Sequence, residues 1–310
     1  MTRSQITIDN CDGGWEAGQH IQLRVFFEGR VFESHPLSIA NAPTSTSCLA
    51  SRSIVLGARV TGDWTRALNQ YVSVEQKRLG RENTEKADDP VPVQVMIDGP
   101  YGGCSLDLGE YESVLLVAGG AGVTFTLGLL DDLVGRIVRY RRLRGERTRR
   151  VEFAWAIRSF GKRIRIRCCS KKKCAETSLG CIDWFAPMLT DIANAAADSS
   201  LDLHISIFVT CLCVPEAVPP IPNSITTIVR PDVHRLLSDL ISPPPADGDV
   251  ESESGASAQW AGAIGRGGVG VCASGPESLT RESANAVARL APVHAKRVGG
   301  IALHTEVFSL

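Results

Sequence analysis

The 310 residues predict two units of different build: a small antiparallel barrel or sandwich, then an α/β unit around a parallel sheet. Three observations carry this. The length exceeds one ordinary core and suits two domains. Residues 4 to 108 read as short alternating strands rich in β-branched residues, with turn residues between them. After "GPYGG" (99–103) continuous apolar strands alternate with helical stretches, the pattern of parallel strands joined by crossover helices.

The elements follow in order. "ITI", "HIQLRVFF", "SIVLGARV" and "VPVQVMID" are the strands of the first unit. In the second, "SVLLVA" is a buried strand, followed by a Gly-rich turn and a helix from Thr124 to about Arg142. "VEFAWAI" is a strand, "IDWFAPMLTDIANAAA" an amphipathic helix, "LDLHISIFVT" a strand and "PDVHRLLSDLI" a helix. "GGVGVCA", "ESLTRESANAVARLA" and "GIALHTEVFSL" close the chain as strand, helix and strand. The boundary between domains falls at 108/109. A Pro-, Ser- and Asp-rich stretch near 241–259 reads as a linker or surface loop.

With 44% apolar and 22% charged residues and a net charge of -1, the composition is globular, and global charge selects no partner. Locally, sixteen Lys and Arg stand against two acids between Arg136 and Ala175. The stretch "RIVRYRRLRGERTRR" reads as a solvated helix end whose cations suit the C-terminal dipole, with an anionic membrane face as the functional alternative. No aromatic interleaving accompanies it, so nucleic acid is not an expected partner. Ten cysteines without an apolar leader in "MTRSQITIDN" read as reduced thiols of a cytoplasmic chain. The longest apolar run, Val114 to Leu130, is seventeen residues broken by four glycines, too short for a comfortable membrane span.

That run carries the first chemical signal. Gly119, Gly120 and Gly122 lie between a buried strand and a helix start. Glycines there allow a tight turn and close approach of backbone to phosphate, and the helix N-terminus offers free N–H groups. Thr124 is placed to add a hydroxyl. The pattern is G-x-G without the third glycine of G-x-G-x-x-G, since Phe125 sits there; a plain tight turn between strand and helix looks much the same.

Nine short motifs then agree in order: "AGQH" (17–20), "HPLS" (35–38), "GDWT" (62–65), "GPYGG" (99–103), "AGGAGVTFTLGLL" (118–130), "AWAIRS" (154–159), "RPD" (230–232), "SGPESL" (274–279) and "HTEVF" (304–308). The chain resembles the cytosolic FAD- and NADPH-binding module of ferric-chelate reductases, members of the ferredoxin-NADP reductase superfamily and relatives of NADPH oxidases. The resemblance implies a two-domain ferredoxin-NADP-reductase-like fold, with an antiparallel FAD-binding β-barrel at 1–108 and a Rossmann-like NADP-binding domain at 109–310.

It also implies a site. His35, Pro36, Leu37 and Ser38 form the FAD-binding strand, with His35 at the phosphate or ribityl region and the Ser38 hydroxyl near the isoalloxazine. Gly62 and Thr65 close a loop on the pyrophosphate, Thr65 capping a helix start and Arg59 supplying charge. Gly119, Gly120, Gly122 and Thr124 take the nicotinamide dinucleotide. Arg158 matches the arginine at the adenosine 2′-phosphate, where a guanidinium binds bidentately; this favours NADPH over NADH. Arg230 is a second candidate. Ser274, Gly275 and Pro276 stand where the family has "CGP", so the family's thiol is a hydroxyl here, and Cys272 lies two residues earlier on the same face. Glu306 and Phe308 match the family's "ExF", the aromatic covering the flavin.

The reaction implied is hydride transfer from NADPH to FAD, then single electrons onward. In the family these pass to haems in a transmembrane bundle and on to a ferric chelate, a part this chain lacks; it would work at the cytosolic face of a plasma membrane as half of the full reductase. A superoxide-producing NADPH oxidase module is the alternative within the class. A non-catalytic fragment or interaction module is the alternative outside it.

One segment fits none of this. Residues 161–181 hold Cys168, Cys169, Cys174 and Cys181 among Lys and Arg, without the CxxC pairing of a zinc site. Gly161-Lys162 can be encoded with a GTAAG donor and Leu179-Gly180 with a TAG acceptor, so the segment reads as a retained intron, or else a lineage-specific loop. Removing the nineteen codons of residues 162–180 leaves "AWAIRSFGCIDWFAPML" in frame.

Overall fold

The structure is a computed structural model. It describes residues 3–11, 13–27, 29–79, 90–157, 182–210, 219–242, 266–290 and 292–308. Arg158, the cysteine-rich segment and most of the 241–259 stretch lie outside these residues.

The first part holds β1 (Arg3–Ile8), β2 (Gln19–Val25), β3 (His35–Ser38), β4 (Ile54–Arg59), α1 (Asp63–Arg78) and β5 (Val95–Gly102). β1 and β4 pair antiparallel, as do the three strands ordered β3-β2-β5. An Ile39–Leu56 bridge joins the two sheets. In β2 the alternation Ile21, Leu23, Val25 is buried, and it packs with Ile39, Leu56, Trp64 and Leu68 as one core. Helix α1 goes beyond the helix start read from "GDWT": it runs sixteen residues but buries only Trp64 and Leu68, too thin a stripe to announce itself.

The second part begins with β6 (Ser113–Gly119) and α2 (Val123–Tyr140), then β7 (Arg150–Ile157), α3 (Ile182–Ala197), β8 (Asp202–Val209), β9 (Ser224–Thr227) and α4 (Val233–Ile241). It ends with β10 (Val269–Gly275), α5 (Glu277–Arg289), α6 (Pro292–Arg297) and β11 (Ile301–Val307). The six strands are all parallel, in the order β11-β10-β6-β7-β8-β9. Every residue of β6 and β10 is buried, which is why both read as unbroken apolar runs. Strand β9 and helix α6 were not expected; β9 is a four-residue edge strand whose residues are all half-buried. Among the described residues no helix is long and apolar enough to cross a membrane.

Helix α2 packs on both parts. Its residues share a core with Ala40, Leu49 and Val55 as well as with β6, β7 and α3. Asp131, fully buried, accepts hydrogen bonds from the Ala42 N–H (2.8 Å), the Ser47 hydroxyl (2.8 Å) and the Cys48 N–H (2.9 Å). A Cβ on Gly135 would run into the Thr46 carbonyl and come within 2.6 Å of the Cys48 nitrogen.

Much of the basic stretch is engaged in the structure. Arg136 pairs with Asp107 at 2.7 Å and Asp132 at 3.3 Å, Arg142 donates to the Ser200 hydroxyl, Arg144 lies over the Tyr140 ring and Arg150 is buried.

Candidate active site

Strands β7 to β9 lie on one side of β6, and β10 and β11 on the other. The order therefore reverses between β6 and β10, and a ligand crevice opens outside the carboxyl ends of strands at such a point. There β6 ends at Gly119, a single 3₁₀ turn over Gly120–Gly122 follows, and α2 begins at Val123. The three glycines do different work. Gly120 has φ +57° and open space where a side chain would be, so it is the turning residue. Gly119 and Gly122 are contact residues. A Cβ on Gly119 would lie 2.7 Å from Pro276 Cδ, and one on Gly122 would meet the Ser274 carbonyl and, at 2.8 Å, the Gly275 nitrogen. These two glycines seat the β6 turn on the β10 turn.

Thr124 differs from expectation. Its hydroxyl donates to the Ala121 carbonyl at 3.1 Å and the residue is buried, so that proton is held within the turn. Trp155, whose role sequence reading missed, steadies the turn by donating from Nε1 to the Gly120 carbonyl at 3.1 Å. "AWAIRS" contains it, but only strand register puts it beside Ala118.

On the β10 side Ser274 is fully buried and its Oγ has no hydrogen-bond partner. It pairs in register with Glu306, and the Phe308 N–H donates to the Gly275 carbonyl at 2.8 Å. Phe308 packs half-buried against the core, while Glu306 stays 41% exposed with its carboxylate 3.6 Å from His304 Nε2. Pro276 heads α5, its carbonyl accepting from Leu279 and Thr280. Cys272 sits one turn of the pleat deeper, with no exposure, inside the core.

In the antiparallel part, register aligns Ser38 with His20 and His20 with Tyr101, a row across β3, β2 and β5 on the face opposite Ile21 and Leu23. His20 and Tyr101 lie within quoted motifs, yet only the pairing reveals them as Ser38's neighbours. Hydrogen bonding to Asp98 pushes the Tyr101 phenol pKa up. Pro36 is exposed beside Gln22, and Leu37 turns inward. His35 stacks on Trp64 at 4.2 Å, with Nε2 3.6 Å from the Glu33 carboxylate and no hydrogen bond. The "HPLS" strand and the "GDWT" turn are thus brought together. Gly62 rather than Thr65 is the N-cap of α1; the Thr65 hydroxyl, at the third helical position, accepts from the Gly62 N–H at 3.1 Å. Arg59 ends β4, two residues past Gly57, whose Cβ position lies 3.4 Å from Thr124 Cγ2.

Arg230 is not brought to this group. It is exposed after β9, the edge strand three positions from β6, roughly 14 Å by strand spacing. Asp232, not Arg230, caps α4, accepting the Arg235 N–H at 3.1 Å.

These residues fit a dinucleotide and a flavin. The switch-point turn leaves the Gly120 surface clear, and Ser274 supplies a buried hydroxyl in need of a partner. The row Ser38, His20 and Tyr101 offers a polar, half-open sheet face.

Residues 6–105 match an FAD-binding domain and residues 111–167 a ferric reductase NAD binding domain. The chain is 28% identical over 192 residues to respiratory burst oxidase homolog protein D of Arabidopsis thaliana, covering 56% of this chain and 18% of that protein. It is 33% identical over 129 residues to ferric reduction oxidase 8, mitochondrial, of the same plant, covering 42% of this chain and 15% of that protein. The matches thus span less than a fifth of these relatives. A crystal structure of a ferredoxin NADP+ reductase from Neisseria gonorrhoeae superposes over 98% of this chain and 92% of its own, at 11% identity and TM-score 0.49.

The two domain matches, on an antiparallel part and a parallel sheet with paired turns, mark a flavin and pyridine-nucleotide oxidoreductase module. The chain carries the FAD-binding and ferric reductase NAD-binding domains of a flavin-dependent oxidoreductase module.

Proposed function

We propose that this module passes hydride from NADPH to FAD and electrons singly onward, as the cytosolic half of a ferric-chelate reductase whose haem-bearing membrane part is a separate segment or subunit. The observation that carries the reading is the seating of the β6 turn on the β10 turn at the switch point, with Ser274 and Glu306 side by side and Phe308 anchored on Gly275.

When bound, the nicotinamide supplies the hydride and the flavin divides the pair into single electrons. The chain's own residues bind and orient. Gly120 and the first N–H groups of α2 face the dinucleotide phosphates. Ser274 Oγ gains in the nucleotide the partner it lacks, Glu306 holds a polar position beside it, and Gly275-Pro276 shape the turn. Ser38, with His20 and Tyr101, positions the flavin ring. His35, Pro36, Leu37, Arg59, Gly62 and Thr65 hold its ribityl and phosphate end. Phe308 covers the ring and excludes water. Cys272, closed in the core, takes no chemical part in this transfer. Arg158 is the cation offered to a 2′-phosphate, which favours NADPH.

The test is optical. The purified chain titrated with FAD should give a bound-flavin spectrum that bleaches on adding NADPH, more readily than with NADH; a chain that binds no FAD overturns the reading. A second reading, superoxide formation, is supported by the respiratory burst oxidases among the relatives. With the membrane part supplied, reduction of a ferric chelate against dismutase-sensitive cytochrome c reduction separates the two.

A further inference from the structure

Cys104 follows β5 in the connection to the parallel sheet, and Cys272 lies in the middle of β10. They are 168 residues apart, yet their sulfurs stand 3.5 Å from each other. Cys104 is half-buried and Cys272 has no exposure, so one thiol is reachable from solvent and the other only through its partner. Nothing in the proposed reaction uses either thiol as a chemical group.

The surroundings hold the pair in place. Ser105, next to Cys104, donates its N–H to His304 Nδ1 at 3.2 Å, and His304 is the register neighbour of Cys272 on β11. The His304 ring stacks on Phe125 of α2 at 5.5 Å. The two cysteines are therefore brought together from three sides, by β10, β11 and α2. A disulfide needs sulfurs at about 2.05 Å, so the closing movement is about 1.5 Å. Cys104 sits outside any strand or helix, where the backbone can supply that movement.

We propose that Cys104 and Cys272 are a peroxide-sensitive dithiol that closes to a disulfide, tying the connection after β5 to the parallel sheet. In the first step the Cys104 thiolate attacks a peroxide oxygen. The O–O bond breaks, hydroxide leaves and the sulfur becomes a sulfenic acid. In the second, the Cys272 sulfur attacks the sulfenic sulfur, giving up its proton as water leaves. The two thiols have lost two electrons and two protons, and hydrogen peroxide has become two waters. A dithiol reductant reverses the bond by exchange.

The electrostatics give the order of attack. The Cys272 thiol donating to Cys104, helped by the Leu106 N–H, lowers the Cys104 pKa against the opposing effect of burial. The Cys104 contact and burial push Cys272 up. By contrast, burial and the Asp131 carboxylate push the Cys48 thiol far up, leaving it unreactive although half-buried.

The test is a linkage map. The full chain, reduced and freed of reductant, is exposed to rising hydrogen peroxide, its free thiols are blocked with N-ethylmaleimide, and it is digested without reductant. The expected result is a peptide pair joined through Cys104 and Cys272, two hydrogens lighter than the separate thiols, that disappears after dithiothreitol. In Cys272→Ala, Cys104 should stop at a sulfenic acid trapped by dimedone; in Cys104→Ala, Cys272 should remain a thiol. A wild-type chain in which Cys104 gives the dimedone adduct and no joined peptide forms overturns the proposal, as does a bond from Cys104 to any other cysteine. Should Cys272→Ala fail to fold, the wild-type map and Cys104→Ala, a change in a half-buried loop, decide the question.

Discussion

The parallel sheet and the β3-β2-β5 sheet solve opposite problems. Every residue of β6 and β10 is buried, and their turns meet backbone on backbone, with no room for a single methyl group at Gly119 or Gly122. In the antiparallel sheet β2 buries one face and leaves the other half-open, while β5 buries no residue: Met96 is 52% exposed and Tyr101 43%. One region is tuned by packing, so its residues answer to stability first. The other keeps a surface in reserve, so its residues can answer to a ligand with little cost to the fold.

Substitutions can break or sharpen this contrast. The largest effect is expected at the seat of the two turns. Gly122→Ala drives a Cβ into the Ser274 carbonyl and should cost about 3 kcal/mol in urea unfolding; a change under about 0.5 kcal/mol would mean the turns are not rigidly seated. Next comes Asp131→Ala, which strands the buried donors of Ala42, Ser47 and Cys48 and should cost about 2 kcal/mol by the same measurement, with Asp131→Asn recovering part of it.

A smaller effect belongs to an ion pair within the parallel sheet. His204 on β8 lies 2.7 Å from Glu152 on β7. Burial draws the imidazole pKa down, but the Glu152 hydrogen bond and the Glu152 and Asp202 charges outweigh it, and the net shift is upward from 6.5. A raised folded pKa means that the pair's stabilisation is full below the unfolded value and is lost as pH rises through the folded one. Relative to His204→Gln, the wild type should therefore lose at most about 1 kcal/mol between pH 6 and pH 9. A difference that grows with pH would reverse the sign and refute the assignment.

The smallest stability effect should fall on the open sheet. Ser38→Ala and Tyr101→Phe should each stay within about 0.5 kcal/mol of wild type. The same changes should weaken FAD binding several-fold in a flavin titration. Equal loss of stability on both sheets would erase the distinction.

How much of this was legible follows from the same contrast. The strands of the parallel sheet were readable as apolar runs because burial on both sides leaves no alternation to blur them. Strand β9, with four half-buried residues, gave no such run, and α1 hides two core residues among fourteen others. The site was legible as motifs but not as contacts. Ser38, His20 and Tyr101 form a row only through register, and Cys104 meets Cys272 across 168 residues. The glycines of the β6 turn were read as making room for phosphate. Two of them make room for β10, a demand set by a strand some 150 residues further on that no local window contains.

The clasp of α2 on residues 39–49 has a consequence for how such chains can be recombined. A Cβ on Gly128 would lie 3.0 Å from the Ile39 carbonyl, Gly135 admits the 46–48 backbone, Tyr140 donates to the Ser45 carbonyl at 2.9 Å, and Asp131 holds the loop between. The change of rhythm near residue 108 is a boundary of pattern, but it is not a seam along which the molecule can be parted. A chimera cut there would set a helix from one parent against a loop shaped by another. The unit that must be inherited whole is the loop with the helix, although more than seventy residues of chain separate them.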